Sequence, residues 1–267
     1  GSEMCIRDRK LNEMIANGEF TADEAKIGYV GAFTYAEVIS GYTSFFLGAR
    51  SVCPSVTMEV TFTGSWYDEA AEKEAANKLI AGGCKLISQH ADSLGAPTAC
   101  ENAGVPNVSY NGSTITAGPN TYIISSRIDW APYYEMAIKA VMDGTEIPAD
   151  YTGNLSTGSV VLTDLNTAVA AEGTQAAIDA AKAKLESGEL HVFDCSTFTV
   201  SGANVKDTMK VDADGHLTSY MADVNTDEAY TGDTEVVHDG YFSESEFRSA
   251  PYFDLFIDGI NTLDTAF

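Results

Sequence analysis

From Lys26 onward the chain repeats one unit: a short apolar run, a capping signal, an amphipathic segment and a glycine. No other feature limits the possible folds as strongly. Residues 26–30 read as a strand that leads into the loop Gly31-Ala32-Phe33. Thr34 and Glu37 have capping-box spacing, which predicts a helix start there. Val38, Ile39, Tyr42, Phe45, Phe46 and Ala49 then recur at helical intervals. Residues 55–63 alternate Val56, Met58, Val60 and Phe62, the period of a strand. Asp68 suits the N-cap of the next helix, Glu69–Lys73 and Glu74–Lys78 are i,i+4 pairs in the favourable order, and Gly82-Gly83 is a stop.

The unit recurs. Residues 84–89 read as a strand, Asp92 or Ser93 as a cap, and Gly104 as the end of a helix. Strands follow at 105–110 and 121–125. Asp129 caps a helix running to Met142, with Pro132 tolerated in its first turn and Gly144 closing it. Residues 158–163 read as a strand, Thr174–Ser187 as an Ala-rich helix stopped by Gly188, and 191–194 as a last short strand. This alternation predicts an α/β fold: a parallel, Rossmann-like sheet with right-handed crossovers and helices on both faces. The first four strands suit a flavodoxin-like order. Ligands of such sheets bind beyond the carboxyl ends of the strands. The relevant loops are then 31–35, 64–68, 90–93, 110–114 and 126–130.

After Cys195 the texture changes. Residues 205–211 and 216–221 alternate around Asp212-Ala213-Asp214-Gly215, a hairpin signal. The stretch 225–237 is acidic and loop-like, and 249–260 carries aromatic and β-branched residues that need a surface to pack on. The expected organisation is an α/β ligand-binding lobe over 10–195 and a β-containing extension over 196–267 that crosses back toward another lobe. The opening GSEMCIRDR resembles the conceptual translation of a transposase-type sequencing adapter, since ATG TGT ATA AGA GAC spells Met4-Cys5-Ile6-Arg7-Asp8. Residues 1–9 are therefore expected to be a non-native tail and carry no fold reasoning. Cys53, Cys84, Cys100 and Cys195 then remain. Their spacing matches no metal motif and no CxxC pair, so Cys84 and Cys100 are expected to be buried thiols.

Fifteen Lys+Arg against 39 Asp+Glu give a formal net charge of −24. So acidic a surface repels phosphate backbones and anionic membranes, which argues against nucleic acid as a partner. No apolar run approaches the roughly 18 residues of a membrane-spanning helix. GxGxxG, Walker A, HExxH and GxSxG motifs are absent. His90, Asp92 and Ser93 hold the letters of a hydrolase triad, but residues so close in one loop do not easily form the nucleophile–base–orienter line. Asp212-Ala213-Asp214-Gly215 has the opening of a calcium loop, yet Asp223 rather than Glu stands at its twelfth position, which favours a tight turn. Tyr133 and Tyr134 lie on a helix, where core packing is expected for at least one. No catalytic residue, metal or cofactor is expected.

The stretches IGYVGAF (27–33), TGSWYDEAAEKEAANKLIAGGCKLISQHADS (63–93) and SSRIDWAPYYEMAIKAVMDG (125–144) resemble the basic membrane protein family, with a weaker likeness in SAPYFDLFIDGI (249–260). These are lipid-anchored solute-binding proteins of ABC importers, many of which bind purine nucleosides or bases. The resemblance implies a periplasmic-binding-protein type I-like fold of two lobes around a cleft. This chain would hold mainly the C-terminal lobe and the closing tail.

Carried over by position, the resemblance places Trp66 where the family stacks an aromatic ring on the ligand. The residues agree: a Trp after the second strand is large, amphipathic and on the binding edge. A rim residue covering the following helix is the other reading. Gln89 and His90 end the third strand and offer neutral donors and acceptors for a heterocycle edge, and a core histidine is the alternative for His90. Asn111 falls near a family position that is acidic and holds ribose hydroxyls, a departure that counts against nucleoside binding as opposed to free base. Arg127, Asp129 and Trp130 occupy a polar family loop, where Asp129 serves equally as an N-cap. Phe33 lines the first loop, against ligand or hinge.

Two functions of different class follow. One is an extracytoplasmic binding protein that captures a purine nucleoside or nucleobase-like solute and hands it to an ABC permease, touching the membrane only through a lipid anchor. The other is a sensor or regulator core, or a small hydrolase, on a similar sheet.

Overall fold

The computed structural model describes residues 8–225 and 232–264. Helix α1 (Asp8–Ala16) packs on α2 (Ala36–Val52), with Leu11 fully buried. Strands β1 (Lys26–Gly31), β2 (Thr57–Phe62), β3 (Leu86–Gln89), β4 (Asn107–Tyr110) and β5 (Tyr122–Ile128) are parallel in the order β2-β1-β3-β4-β5. This is the flavodoxin-like order that the alternation predicts. Helices α3 (Glu69–Ala81) and α4 (Gly95–Ala103) link successive strands. Helix α5 (Ala131–Asp143) follows β5, and helix α6 (Thr174–Ser187) follows the edge strand β6 (Val160–Leu162). β6 pairs antiparallel with β5, so one edge of the sheet departs from the all-parallel expectation.

Period-two alternation divides β1 between the two faces. Ile27 and Tyr29 join Tyr42, Phe45 and Phe46 of α2 in the larger core, while Val30 joins Leu79, Ile87, Ala96 and Cys100 under α3 and α4. Full burial of each of these large side chains stabilises the fold by about 1.5–3 kcal/mol. Gly95 lets α3 and α4 touch: a Cβ there would meet the Glu69 carbonyl oxygen at 2.3 Å. Cys84 and Cys100 are buried thiols, pushed up to about 12 by burial.

Several local expectations are corrected. Helix α2 starts at Ala36 with Tyr35 as N-cap and no side-chain cap bond, so the Thr34–Glu37 box does not form. Asp68 does cap α3, accepting from the Ala71 N–H at 3.0 Å. Among the described residues no ion pair joins Glu69 to Lys73 or Glu74 to Lys78, and Lys78 faces Asp264 at 3.8 Å. Residues 191–194 form no strand, and Asp194 alone bridges to Tyr241. Neither Tyr133 nor Tyr134 enters the core, and Tyr134, Ile138, Val141 and Met142 leave one side of α5 exposed.

The last quarter holds the hairpin expected from its alternation. β7 (Met209–Val211) and β8 (Leu217–Ala222) form the hairpin around Asp212–Gly215, and β9 (Thr234–Glu235) pairs with β8. In the stretch 225–237, residues 226–231 lie outside the described residues, as do residues 1–7 of the adapter-like opening. β10 (Val237–His238) pairs with β11 (Tyr241–Phe242). β12 (Ile260–Thr262) joins the main sheet parallel to β2. Phe193, Phe198, Phe242, Tyr252, Phe253 and Leu255 all enter the larger core. Apolar residues of the extension thus find partners on this sheet.

Candidate functional site

The carboxyl ends of β1 to β4 and the loops after them bring one row of rings together. Phe33 and Tyr35, after β1, stack with centroids 5.1 Å apart. Trp66, after β2, lies 5.3 Å from Phe33 and 6.1 Å from Tyr35. His90, after β3, is 6.1 Å from Trp66 and 4.1 Å from Tyr110 at the end of β4. Trp66 is partly buried against the core, whereas the adjacent Tyr67 is 67% exposed. The row follows from topology, since each ring stands at the same end of a neighbouring strand.

His90 is buried, with Nδ1 3.5 Å from the Tyr29 hydroxyl. Burial pushes its imidazole down to about 4, so it is neutral at ordinary pH and offers one donor and one acceptor. Gly41 of α2 makes room for it, because a Cβ there would stand 3.1 Å from His90 Nδ1. The loops are fixed by a residue that sequence reading passed over. Glu72 on α3 is fully buried, and its Oε1 accepts from the Asp68 N–H at 3.1 Å. Its Oε2 accepts from the Ser93 N–H, also at 3.1 Å. One carboxylate thus ties the Trp66 loop to the His90 loop. Burial raises its pKa, and the Ser93 and Asp68 hydrogen bonds oppose that rise.

Beside the rings lies a cavity of about 310 Å³, lined by Ser40 and Gly41 of α2, His90, Tyr110 and Arg127, and by Glu244 of the extension. Arg127 reaches Asp129 at 3.3 Å. Asp129 Oδ1 also accepts from the Ala131 N–H at 3.0 Å, the first N–H of α5, but the N-cap is Trp130 rather than the expected Asp129. Asp129 and Trp130 line a second, adjoining cavity of about 470 Å³ with Tyr133 and Tyr151. Gln89 lies elsewhere. Its amide is fully buried, donating to Ser109 at 3.2 Å and accepting from Asn107 at 2.9 Å inside the sheet. Asn111 is exposed, in left-handed backbone with φ 64° beyond β4, and lines neither cavity.

The hydrolase letters do not align. His90 Nδ1 faces Tyr29, and Ser93 Oγ accepts from the Gly95 N–H at 3.0 Å. Asp212, Asp214 and His216 cluster in the open, but Asp212 Oδ1 accepts from the N–H groups of Asp214 and His216 at 2.9 Å each and closes the hairpin turn.

The fold agrees with comparisons to known proteins. Residues 19–192 match the Bmp family, described as ABC transporter substrate-binding protein, PnrA-like. The chain belongs to this family. A putative ABC transporter glucose-binding protein of Haloferax volcanii is 34% identical over 172 residues, covering 64% of this chain and 44% of that protein. A purine-binding protein of Brucella abortus is 31% identical over 166 residues, covering 62% of this chain and 47% of that protein. The chain therefore spans about half the length of these curated relatives. A solute-binding protein of an ABC transporter from Conexibacter woesei superposes with a TM-score of 0.52 at 29% identity, covering 62% of this chain and 56% of the other. One from Aeropyrum pernix does so at 0.59 and 18%, covering 72% and 63%, and shares the fold. The type I-like periplasmic-binding-protein fold expected from the Bmp resemblance is thus present. No described helix is long and apolar enough to cross a membrane.

The rings at the strand ends were only partly legible beforehand. Tyr35 and Tyr110 stand in the loops 31–35 and 110–114, but no local motif distinguishes them from other loop tyrosines. Glu244 lies 134 residues beyond Tyr110, and no spacing signal links the two.

Proposed function

We propose that this chain forms the ligand-holding lobe of an extracytoplasmic ABC importer component that captures a purine nucleoside or nucleobase-like solute for delivery to a permease. The supporting observation is the continuous ring row Phe33–Trp66–His90–Tyr110 at the carboxyl edge of the sheet. Flat heterocycles stack on such rings, at about 1–3 kcal/mol per base. The neutral His90 and the Ser40 hydroxyl supply a few polar groups for the ligand's edge, the composition expected of a small-molecule pocket. The name of the Brucella relative is consistent with a purine. Within this reading Trp66, Phe33, His90 and Arg127 face the solute. Asp129 and Trp130 border it, and Gln89 acts from within the sheet. Asn111 stays outside both cavities, and membrane contact is through a lipid anchor alone.

Titrating the chain with adenosine, inosine and glucose, followed by calorimetry, tests this. Nucleoside binding that weakens in Trp66→Ala supports the reading. Glucose binding in preference to every nucleoside, or no binding of any of the three at millimolar concentration, overturns it.

A further inference from the structure

Glu244, which lines the strand-end cavity, carries a polar atom with nothing to bond. Glu244 Oε1 is buried, and no group among the described residues hydrogen-bonds it. A buried acceptor left unmet is costly and seldom persists without a reason.

The segment that carries Glu244 is held firmly. The Tyr252 hydroxyl accepts from the Glu246 N–H at 3.2 Å and donates to the Ser243 carbonyl oxygen, so one buried ring organises the turn on both sides of Glu244. Ser243 N–H donates to the Val236 carbonyl at 2.8 Å. Thr152 Oγ1 donates to the Ser245 carbonyl at 3.2 Å, and the Asp150 carboxylate accepts from the Ser249 N–H at 2.9 Å. These bonds pin residues 243–249 across the ends of the strands, so Glu244 stands opposite His90, Tyr110 and Arg127 by construction.

Charge in the cavity narrows what it can take. Glu37 and Glu244 both line it. The cation among its lining residues, Arg127, already pairs with Asp129. A phosphate or carboxylate entering here would meet two acids and an engaged guanidinium.

We propose that Glu244 is a specificity-determining residue of the solute site. It accepts a hydrogen bond from an N–H or hydroxyl of an uncharged ligand, and with Glu37 it excludes phosphorylated forms of the same solute. This rests on the solute-binding reading above and deepens it to nucleoside or base rather than nucleotide. Burial pushes the Glu244 carboxyl up, with the Ser40 hydroxyl opposing. Either protonation state retains an acceptor oxygen for the ligand.

The test compares wild type, Glu244→Gln and Glu244→Leu in thermal melting without ligand and in titrations with adenosine and AMP. Recognition predicts that wild type binds adenosine at least about tenfold more tightly than AMP. It also predicts that Glu244→Leu loses about ten- to hundredfold in adenosine affinity, the scale of a hydrogen bond to a charged group. Glu244→Gln should narrow the adenosine–AMP gap. Glu244→Leu should melt at or above wild type, because it removes an unmet buried acceptor that the free protein carries only for its ligand, whereas Glu244→Gln, which keeps an acceptor oxygen, should melt close to wild type. A Glu244→Leu chain that melts well below wild type overturns the proposal, since Glu244 then supports the fold. So does normal melting with unchanged adenosine binding and unchanged discrimination, which leaves the solute-binding reading intact. If wild type binds no nucleoside, that reading fails and this one with it.

Discussion

The imidazole of His90 lies over the ring of Tyr110, with centroids 4.1 Å apart and planes tilted by 31°. The two residues end adjacent parallel strands, so the pairing is a product of sheet order. It joins the ring row to the cavity that Glu244 enters.

Trp66→Ala should weaken nucleoside binding by about one to two orders of magnitude, following ~1–3 kcal/mol per stacked base. Tyr67→Ala should change it little, because Tyr67 points outward and is 67% exposed. Paired titrations and melting curves check this. Trp66 packs partly on the core, so a modest fall in melting temperature is expected. A large fall with unchanged binding by the folded fraction would assign Trp66 to the core instead.

Stability should acquire a His90-dependent slope in mild acid. The folded imidazole titrates near 4, against about 6.5 in the unfolded chain. Above 6.5 both states are neutral and the residue contributes no pH dependence. As pH falls from 6.5 to 4, the unfolded chain takes up a proton that the folded chain refuses, so stability is lost over that window, by up to about 3 kcal/mol. Urea unfolding of wild type and His90→Asn at pH 7.5, 5.5 and 4.5 measures the difference. Parallel curves for the two proteins would contradict a buried neutral imidazole.

Glu72→Ala should destabilise the fold by about 2–4 kcal/mol. It strips the acceptor from the N–H groups of Asp68 and Ser93 in a fully buried setting. Glu72→Gln keeps one acceptor oxygen and should recover part of the loss. Denaturant midpoints report this directly, and a cost below about 0.5 kcal/mol for Glu72→Ala would mean that water replaces the carboxylate.

Replacing Ile138 and Val141 together by Asp should leave the unfolding free energy within about 1 kcal/mol of wild type. Both are well exposed on α5, at 60% and 69%. Self-association at high concentration should fall, because an exposed apolar stripe is removed. Light scattering and denaturation together check this, and a marked loss of stability would place that side of α5 against the core.

The strand–helix grammar was written locally and could be read locally. Apolar alternation in β2, helical spacing in α2, the Asp68 cap and the stops at Gly104, Gly144 and Gly188 each depend on residues a few positions apart. The order β2-β1-β3-β4-β5 follows from those elements and the handedness of crossovers, and it placed Phe33, Trp66 and His90 on one edge. What the sequence could not encode locally was partner choice at long range. Gln89 and His90 are neighbours, yet the strand pleat sends one amide into the Asn107–Ser109 network and leaves the other ring beside the cavity. Glu72 reads as one more charge on an exposed helix until Ser93, 21 residues away, folds its N–H onto it. The path of residues 232–264 was also decided in three dimensions: Phe242, Tyr252 and Phe253 bury themselves in whatever apolar surface lies open, and here that surface belongs to the same sheet. Burial is non-directional and carries no address in the sequence, so only the assembled core determined that Glu244 would come to rest opposite His90.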